Sequence, residues 1–172
     1  MIQQIQYDTD EIQKFLDATK NSKLNEYNQT MQKLLSVQSR IPIISDIDPT
    51  ELHQIIKKLK FMQYSFKDFI IKEGDVSQEI FFILSGECHV FVGNKKVGAI
   101  PTGSTFGEAA AVFSTKRNAS VVCSSDKMTA LSFGINHDNM DFCAPALASL
   151  YKNLALQINT KLEAMNQSLT KK

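Results

Sequence analysis

The chain has 172 residues, 43% of them hydrophobic and 22% charged, and its formal net charge at pH 7 is +1. This length is sufficient for one domain with a buried core and short extensions. The near-neutral charge argues against nucleic acid or a membrane surface as the main partner, and no apolar run is long enough to span a bilayer. The cysteines Cys88, Cys123 and Cys143 are odd in number and widely spaced, so we expect reduced thiols and a cytoplasmic protein.

Residues 1–40 are predicted to form an N-terminal helical extension, either two helices or one kinked helix. The segment beginning at Asp8 is typical of a helix start, and apolar residues recur behind it at helical spacing. Two uses fit such a face: a cap that packs on the rest of the domain, or a docking helix for a partner. A further helix is predicted to begin at Asp48, which would be its N-cap, with Pro49 in the first turn.

From about residue 61 to 135 the pattern changes to short apolar runs separated by turn residues. The runs are Phe69–Ile71, Ile80–Leu84, Cys88–Val92, Lys95–Ile100, Ala119–Cys123 and Met128–Phe133. Gly93 and Asn94 predict a two-residue type II′ hairpin turn between the third and fourth of them. Several short strands at near-regular spacing predict an antiparallel sandwich or barrel.

The C-terminal part of the chain, about residues 136–165, is predicted to be helical. Apolar residues recur at helical spacing from Leu147 to Met165, and Pro145 is expected in the first turn. A polar tail, residues 166–172, follows this pattern.

The most informative segment lies between the predicted strands and contains a glycine, an acid, several small residues and an arginine. Its residues are Phe106, Gly107, Glu108, Ala109 and Ala110, and then Arg117, Asn118 and Ala119. Backbone N–H groups at a helix start attract a phosphate, and a glycine allows close approach. The arginine fork matches phosphate oxygens, and the carboxylate can accept a ribose hydroxyl. This combination suits a cyclic phosphodiester. Alternatively, Thr105 and Glu108 form a capping box with no ligand, and Arg117 is a surface residue.

This segment resembles the phosphate-binding cassette of cyclic nucleotide-binding domains, the modules of protein kinase A regulatory subunits, cyclic-nucleotide-gated channels and catabolite activator protein. Glycines at 74, 86, 103 and 107 match the family's turn glycines in order and spacing. The resemblance covers about residues 41–162, so the domain is placed at 41–165. It implies a mainly β, α+β fold: an antiparallel jelly-roll-type β-barrel with N-terminal helices and a C-terminal hinge or lid helix.

By this resemblance, Arg117 pairs with the cyclic phosphate and Glu108 holds the ribose 2′-hydroxyl, while the backbone of residues 107–110 lines the loop. Tyr151, Leu154 and Ile158 are candidates for a lid over the base, although all three also fit a core position. Asn118 stands where the family often has alanine with cAMP or threonine with cGMP, so the choice between the two nucleotides stays open.

Two alanines depart from the family pattern, which usually has a larger apolar residue at position 109 and leucine at 111. Leucine to alanine removes about three carbons, or roughly 2 kcal/mol per position if the site is fully buried. Val112 or Phe113 could refill the space.

The sequence therefore predicts a non-enzymatic regulatory subunit that senses cAMP or cGMP and signals to a partner chain with the effector activity. The alternative is a structural assembly subunit with a degenerate, nucleotide-free fold. No catalytic constellation or cofactor is indicated beyond the nucleotide ligand. His137, Asp138 and Asp141 could form a metal site, but a polar helix start explains these residues at least as well. A cupin-like enzyme would need clustered metal ligands that the sequence lacks.

Overall fold

A computed structural model of the chain describes residues 38–56, 58–134 and 144–170, together with positions 10, 13, 14 and 17. Most of the helical extension predicted for residues 1–40, the His137 cluster and Cys143 lie outside the described residues. None of the helices in the described ranges is long and apolar enough to cross a membrane.

Within these ranges the chain forms helices α1 to α3 and strands β1 to β8. Their bounds in chain order are α1 Pro49–Ile56, β1 Lys60–Ser65, β2 Phe69–Ile71, β3 Glu79–Ser85, β4 Cys88–Val92, β5 Lys95–Ile100, β6 Thr105–Phe106, α2 Glu108–Phe113, β7 Ser120–Cys123, β8 Lys127–Gly134 and α3 Ala144–Thr170. The strands make two 4-stranded antiparallel sheets, in the orders β1-β8-β3-β6 and β2-β7-β4-β5. Each predicted apolar run is a strand, and the C-terminal helix begins one residue before Pro145 as expected.

The two central strands of the first sheet, β8 and β3, are buried on both of their faces. On β3, Ile80, Phe82 and Leu84 join a core built with α1, α3 and the loop of residues 41–47. Phe81 and Ile83 point the other way, into a core shared with the second sheet. Side chains alternate between the faces of a strand, so a continuous apolar run is what a strand between two cores requires.

Helix α1 begins at the predicted cap. The Asp48 carboxylate accepts hydrogen bonds from the backbone N–H of Thr50 at 2.8 Å and from its hydroxyl at 2.6 Å. These bonds satisfy a donor that the first turn leaves without a helical partner, and they lower the pKa of Asp48. The N-cap prediction is confirmed.

The hairpin prediction is also confirmed. Val92 pairs with Lys95, which leaves the two residues Gly93 and Asn94 as the turn. Gly93 has a φ of 55°, and Asn94 has no positive φ, as a type II′ turn requires. The backbone N–H of Gly93 also donates to the Glu73 carboxylate at 2.7 Å, so this turn is tied to the loop that follows β2.

Helix α3 packs along the first core and is fastened to the loop before α1. Leu150 and Leu154 are buried in that core. Asn153 donates to the Asp46 carboxylate at 2.6 Å, and Lys152 forms an ion pair with the same carboxylate. These contacts join residues about a hundred positions apart in the sequence, and they fix the position of α3 relative to the loop before α1.

Candidate functional site

A cleft with about 560 Å³ of empty space, part of it open to solvent, lies between the second sheet and the β6–α2 segment. Its lining contains all the residues of the predicted cassette site: Phe106, Gly107, Glu108, Ala109, Ala110, Arg117, Asn118 and Ala119. The remaining lining residues are Ile71, Val90, Ile100, Val121 and Lys161. One end of the cleft is therefore polar and charged, and its floor is apolar.

Gly107 connects β6 to α2 and is the N-cap of α2, with a φ of 84°. A Cβ atom at this position would lie 2.8 Å from Arg117 Nη1 and 2.9 Å from the carbonyl oxygen of Glu79. Both the backbone conformation and the lack of space therefore require glycine. The same feature lets the arginine approach the start of α2 closely.

The alternative reading of Thr105 and Glu108 as a capping box is wrong. Thr105 is paired with Phe82 in the sheet, and its hydroxyl, which is buried, has no hydrogen-bond partner. Gly107, and not Thr105, caps α2, and no described side chain accepts a capping hydrogen bond from the backbone N–H groups at that end of the helix. Sheet pairing holds Thr105 extended, so its side chain cannot reach the helix N-terminus.

Arg117 is 4% exposed, and its guanidinium is held by the protein itself. Nη1 donates to the carbonyl oxygen of Gly107 at 2.6 Å, and Nη2 donates to that of Glu79 at 2.6 Å and to the hydroxyl of Ser77 at 3.2 Å. Its Nε is buried and has no partner. Burial lowers the pKa of Arg117, and nearby carboxylates, Glu79 first, act in the opposite direction. The guanidinium stays charged, so a buried cation retains an Nε–H that has no hydrogen-bond partner among the described residues.

The backbone of Arg117 is fixed by the loop that follows β2. Its N–H donates to the carbonyl oxygen of Asp75 at 2.8 Å, and its own carbonyl accepts from the N–H of Gly74 at 2.7 Å. The arginine is thus placed by two separate parts of the chain, the 74–79 segment and the start of α2.

Glu108 is the first residue of α2, and its side chain is 9% exposed. Its Oε1 forms an ion pair with Lys161 of α3, whose ammonium also donates to the carbonyl oxygen of Thr105 at 2.6 Å. Lys161 was missed in the sequence analysis. A signal for it exists, because Lys161 lies 7 residues, or two helical turns, beyond the buried Leu154. It therefore continues the face of α3 that packs on the domain.

The three lid candidates do not line the cleft. Leu154 is buried in the core between α3 and the first sheet, and Tyr151 packs against that core. Ile158 is half-buried on the same helix. These residues lie on the part of α3 that packs on the core with Ala111 and the loop of residues 41–47, and none of them is among the lining residues of the cleft. Their role as a lid stays a prediction about the nucleotide-bound state.

The two alanines that depart from the family pattern differ in their surroundings. Ala111 is fully buried, whereas Ala109 is exposed. The loss of apolar burial considered for both positions therefore applies at Ala111 alone. Val112 is partly buried against the core around Ala111, while Phe113 is 69% exposed and does not refill the space.

Comparison with known proteins shows which proteins this part of the chain is similar to. Residues 61–137 match the model of the cyclic nucleotide-binding domain. The chain is 29% identical over 126 residues to human cGMP-dependent protein kinase 2, and 35% identical over 86 residues to the cAMP-dependent protein kinase regulatory subunit of Hypocrea atroviridis. These alignments cover 73% and 50% of this chain. Residues 61–137 are therefore similar to cyclic nucleotide-binding domains.

The fold agrees with that similarity. The solved structure described as PKAR CBD2 bound to Sp-2Cl-cAMPS superposes with a TM-score of 0.61, at 20% identity, covering 80% of this chain and 90% of the other. The predicted antiparallel, jelly-roll-like fold with a C-terminal helix is confirmed, with two facing sheets in place of one closed barrel. The matched region spans 16% of the human kinase and 19% of the fungal subunit.

Metal ligands are a separate question from the nucleotide cleft. In the part of the chain that the structure describes, no group of three or more His, Cys, Asp or Glu residues could hold a metal ion.

Proposed function

We propose that this chain is a non-enzymatic regulatory subunit that binds cAMP or cGMP in the cleft and signals to a partner chain that carries the effector activity. The observation that carries the proposal is the buried guanidinium of Arg117, whose Nε–H lacks a partner in a cleft lined by the whole cassette. A buried donor without a partner costs free energy, and the anionic oxygen of a cyclic phosphodiester is the partner that suits a cation best.

The other lining residues have roles that fit this ligand. The backbone of Gly107, Ala109 and Ala110 would approach the cyclic phosphate. Glu108 Oε2, which has no hydrogen-bond partner among the residues that the structure describes, would accept the hydrogen bond of the ribose 2′-hydroxyl. Asn118 carries both a donor and an acceptor, so it can hydrogen-bond to either purine.

The charges of the cleft also support an anionic ligand. Its lining contains two cations, Arg117 and Lys161, and one carboxylate, Glu108. Lys161 is paired with Glu108, so the lining residues together carry one positive charge in excess. The carboxylates of Glu79 and Asp75, which lie outside the lining, offset this charge in part. A cyclic phosphodiester carries one negative charge, so one positive charge in excess matches it.

The second candidate function is a structural assembly subunit with an empty cleft. It is favoured by the bonds that the site already makes within the protein: both terminal nitrogens of Arg117 and one oxygen of Glu108 have protein partners. A site satisfied to this degree can persist without a ligand.

Calorimetric titration with cAMP and with cGMP separates the two functions, with 5′-AMP as the control for recognition of the cyclic phosphate. A regulatory subunit should bind at least one cyclic nucleotide with micromolar affinity or better. At a ligand concentration 100 times the Kd, binding should also add about 2.7 kcal/mol to the free energy of unfolding. No heat and no thermal stabilisation with millimolar cAMP and cGMP would contradict the proposal and favour the assembly subunit.

Replacement of Arg117 by alanine tests the site. We expect a loss of about 2–5 kcal/mol in nucleotide binding, because the phosphate would lose its buried partner. Lys116→Ala is the matched control, since it removes an exposed cation next to Arg117 that does not line the cleft. Thermal unfolding of each variant should be recorded, because Arg117 also holds Gly107 and Glu79. Unchanged affinity in a folded Arg117→Ala protein would refute this assignment of the site.

A further inference from the structure

Lys161 is the one lining residue that α3 contributes to the cleft among the residues that the structure describes. It reaches across a sequence separation of 53 residues to Glu108. The side chain of Glu108 is 9% exposed and that of Lys161 is 41% exposed. The pair therefore joins a nearly buried carboxylate to a cation at the mouth of the cleft.

The contact orients the carboxylate. Lys161 bonds to Glu108 Oε1, and the carbonyl oxygen of Thr105 holds the same ammonium at 2.6 Å. Two acceptors of the β6–α2 segment, the carbonyl oxygen of Thr105 and Oε1 of Glu108, therefore fix the ammonium. With one oxygen fixed, the carboxylate plane of Glu108 has little freedom to turn, and Oε2 remains as its free acceptor.

We propose that Lys161 is a positioning residue for sugar recognition: it holds the Glu108 carboxylate so that Oε2 accepts the ribose 2′-hydroxyl. The inference rests on the proposed function, since it assigns a role within the same nucleotide site. It follows that α3 takes part in reading the sugar through a charged side chain, without any contact between its apolar face and the base. Lys161 also neutralises Glu108, which would otherwise repel the phosphate.

The test compares cAMP with 2′-deoxy-cAMP, which lacks the hydroxyl, by calorimetric titration of the wild-type protein and of Lys161→Met. If cGMP is the preferred ligand, the corresponding guanine pair is used. The wild type should prefer the ribose form by roughly 10- to 100-fold, as expected for a hydrogen bond to a charged group. In Lys161→Met this preference should fall to about threefold or less. Lys161→Arg should restore most of it.

Lys152→Met is the control. Lys152 lies on the same helix and is also ion-paired, but its partner is Asp46 and it does not line the cleft. Its preference for the ribose form should equal that of the wild type. If Lys161→Met loses affinity for cAMP and for 2′-deoxy-cAMP equally, Lys161 has a structural role alone. If its preference for the ribose form is larger than that of the wild type, Lys161 competes with the sugar. Either result overturns the proposal, as does an unchanged preference with unchanged affinities.

Failure of the proposed function gives a different result. If the wild-type protein binds neither cAMP nor cGMP, the regulatory function and the positioning role fail together. If the wild type binds and only the Lys161 prediction fails, the regulatory function stands. Hydrogen exchange of the unliganded proteins tests the anchor itself: amides of residues 105–110 should exchange faster in Lys161→Met than in Lys152→Met. Equal exchange in the two variants would contradict the anchoring contact.

Discussion

Gly107 and Arg117 are in close contact in the cleft, and a side chain at position 107 would collide with the guanidinium. The guanidinium can donate to the carbonyl oxygen of Gly107 at 2.6 Å because no side chain stands between them. If Arg117 binds the phosphate as proposed, it does so with an orientation that its bonds to the protein already fix. This reduces the conformational entropy that a ligand contact must overcome.

We expect Gly107→Ala to weaken nucleotide binding by at least tenfold and to destabilise the domain by roughly 1–3 kcal/mol, because it adds a Cβ against Arg117 at a left-handed backbone position. Titration calorimetry and urea unfolding measure the two effects. Gly98→Ala is the control, since a Cβ at Gly98 meets no atom within 4 Å and its φ is not positive. Equal behaviour of the two variants would contradict the close contact.

The buried Ala111 leads to a second prediction at this scale. Ala111→Leu restores the residue usual in the family, but Val112 and the surrounding core already pack the space. We therefore expect overpacking, with a loss of about 1–3 kcal/mol in the free energy of unfolding. Ala109→Leu, at an exposed position, should change stability by no more than about 0.5 kcal/mol. If Ala111→Leu instead stabilises the protein in urea unfolding, the core around Ala111 contains a void and the expected overpacking is contradicted.

At the scale of elements, the attachment of α3 to the loop before α1 depends on one carboxylate. Hydrogen bonds from Lys152 and Asn153, in that order of importance, lower the pKa of Asp46 below its ordinary value of 3.8. The folded protein therefore binds a proton at Asp46 less readily than the unfolded chain does. The stability contributed by this carboxylate is complete above the unfolded pKa and is lost as the pH falls through the lower, folded pKa.

Asp46→Asn should accordingly reduce stability near neutral pH, and the difference from the wild type should shrink as the pH falls below about 4. Because the side chain of Asp46 is 44% exposed, we expect a difference of at most about 1 kcal/mol. Urea unfolding over a range of pH measures it. Asp126→Asn removes an exposed carboxylate from the turn between β7 and β8 and is the control. A difference that persists unchanged at low pH would rule out the ion pair as its cause.

Most of the elements could be predicted from the sequence because their signals are local, but strand β1, Lys60–Ser65, was not predicted. The run from Ile80 to Leu84, the Gly93-Asn94 turn and the Asp48 cap each depend on neighbouring residues. The two-residue strand β6 has no such signal, and it is sheet pairing that excludes the capping box at Thr105. The pairing of Lys161 with Glu108 and the internal bonds of Arg117 join distant segments. Their geometry is set only when the sheets and α3 are packed together.

At the scale of the whole molecule, two thiols lie between the sheets. Cys88 and Cys123 are buried and are directly opposite each other on β4 and β7. Burial, more than the neighbouring Cys123, raises the pKa of Cys88 to about 12, and burial also raises the pKa of Cys123. A thiol reacts with alkylating reagents as the thiolate, so both residues should be inert in the folded protein.

We expect iodoacetamide near pH 8 to leave Cys88 and Cys123 unmodified in the native protein and to modify both in denaturant. Peptide mass spectrometry after digestion measures the modified fraction at each cysteine. The denatured sample is the control for reagent and accessibility. Rapid modification of either residue under native conditions would mean that the two sheets separate more readily than their shared core implies.

Strand β5 is an edge of the second sheet among the described strands, and its first residues, Lys95, Lys96 and Val97, are exposed. An unpaired edge is a template on which a strand from another copy can add. Two adjacent lysines make that addition unfavourable, because a second identical edge would bring like charges together. The hairpin that shapes one side of the cleft thereby also protects the protein from aggregation. Acetylation of Lys95 and Lys96 would remove that protection while leaving the fold intact.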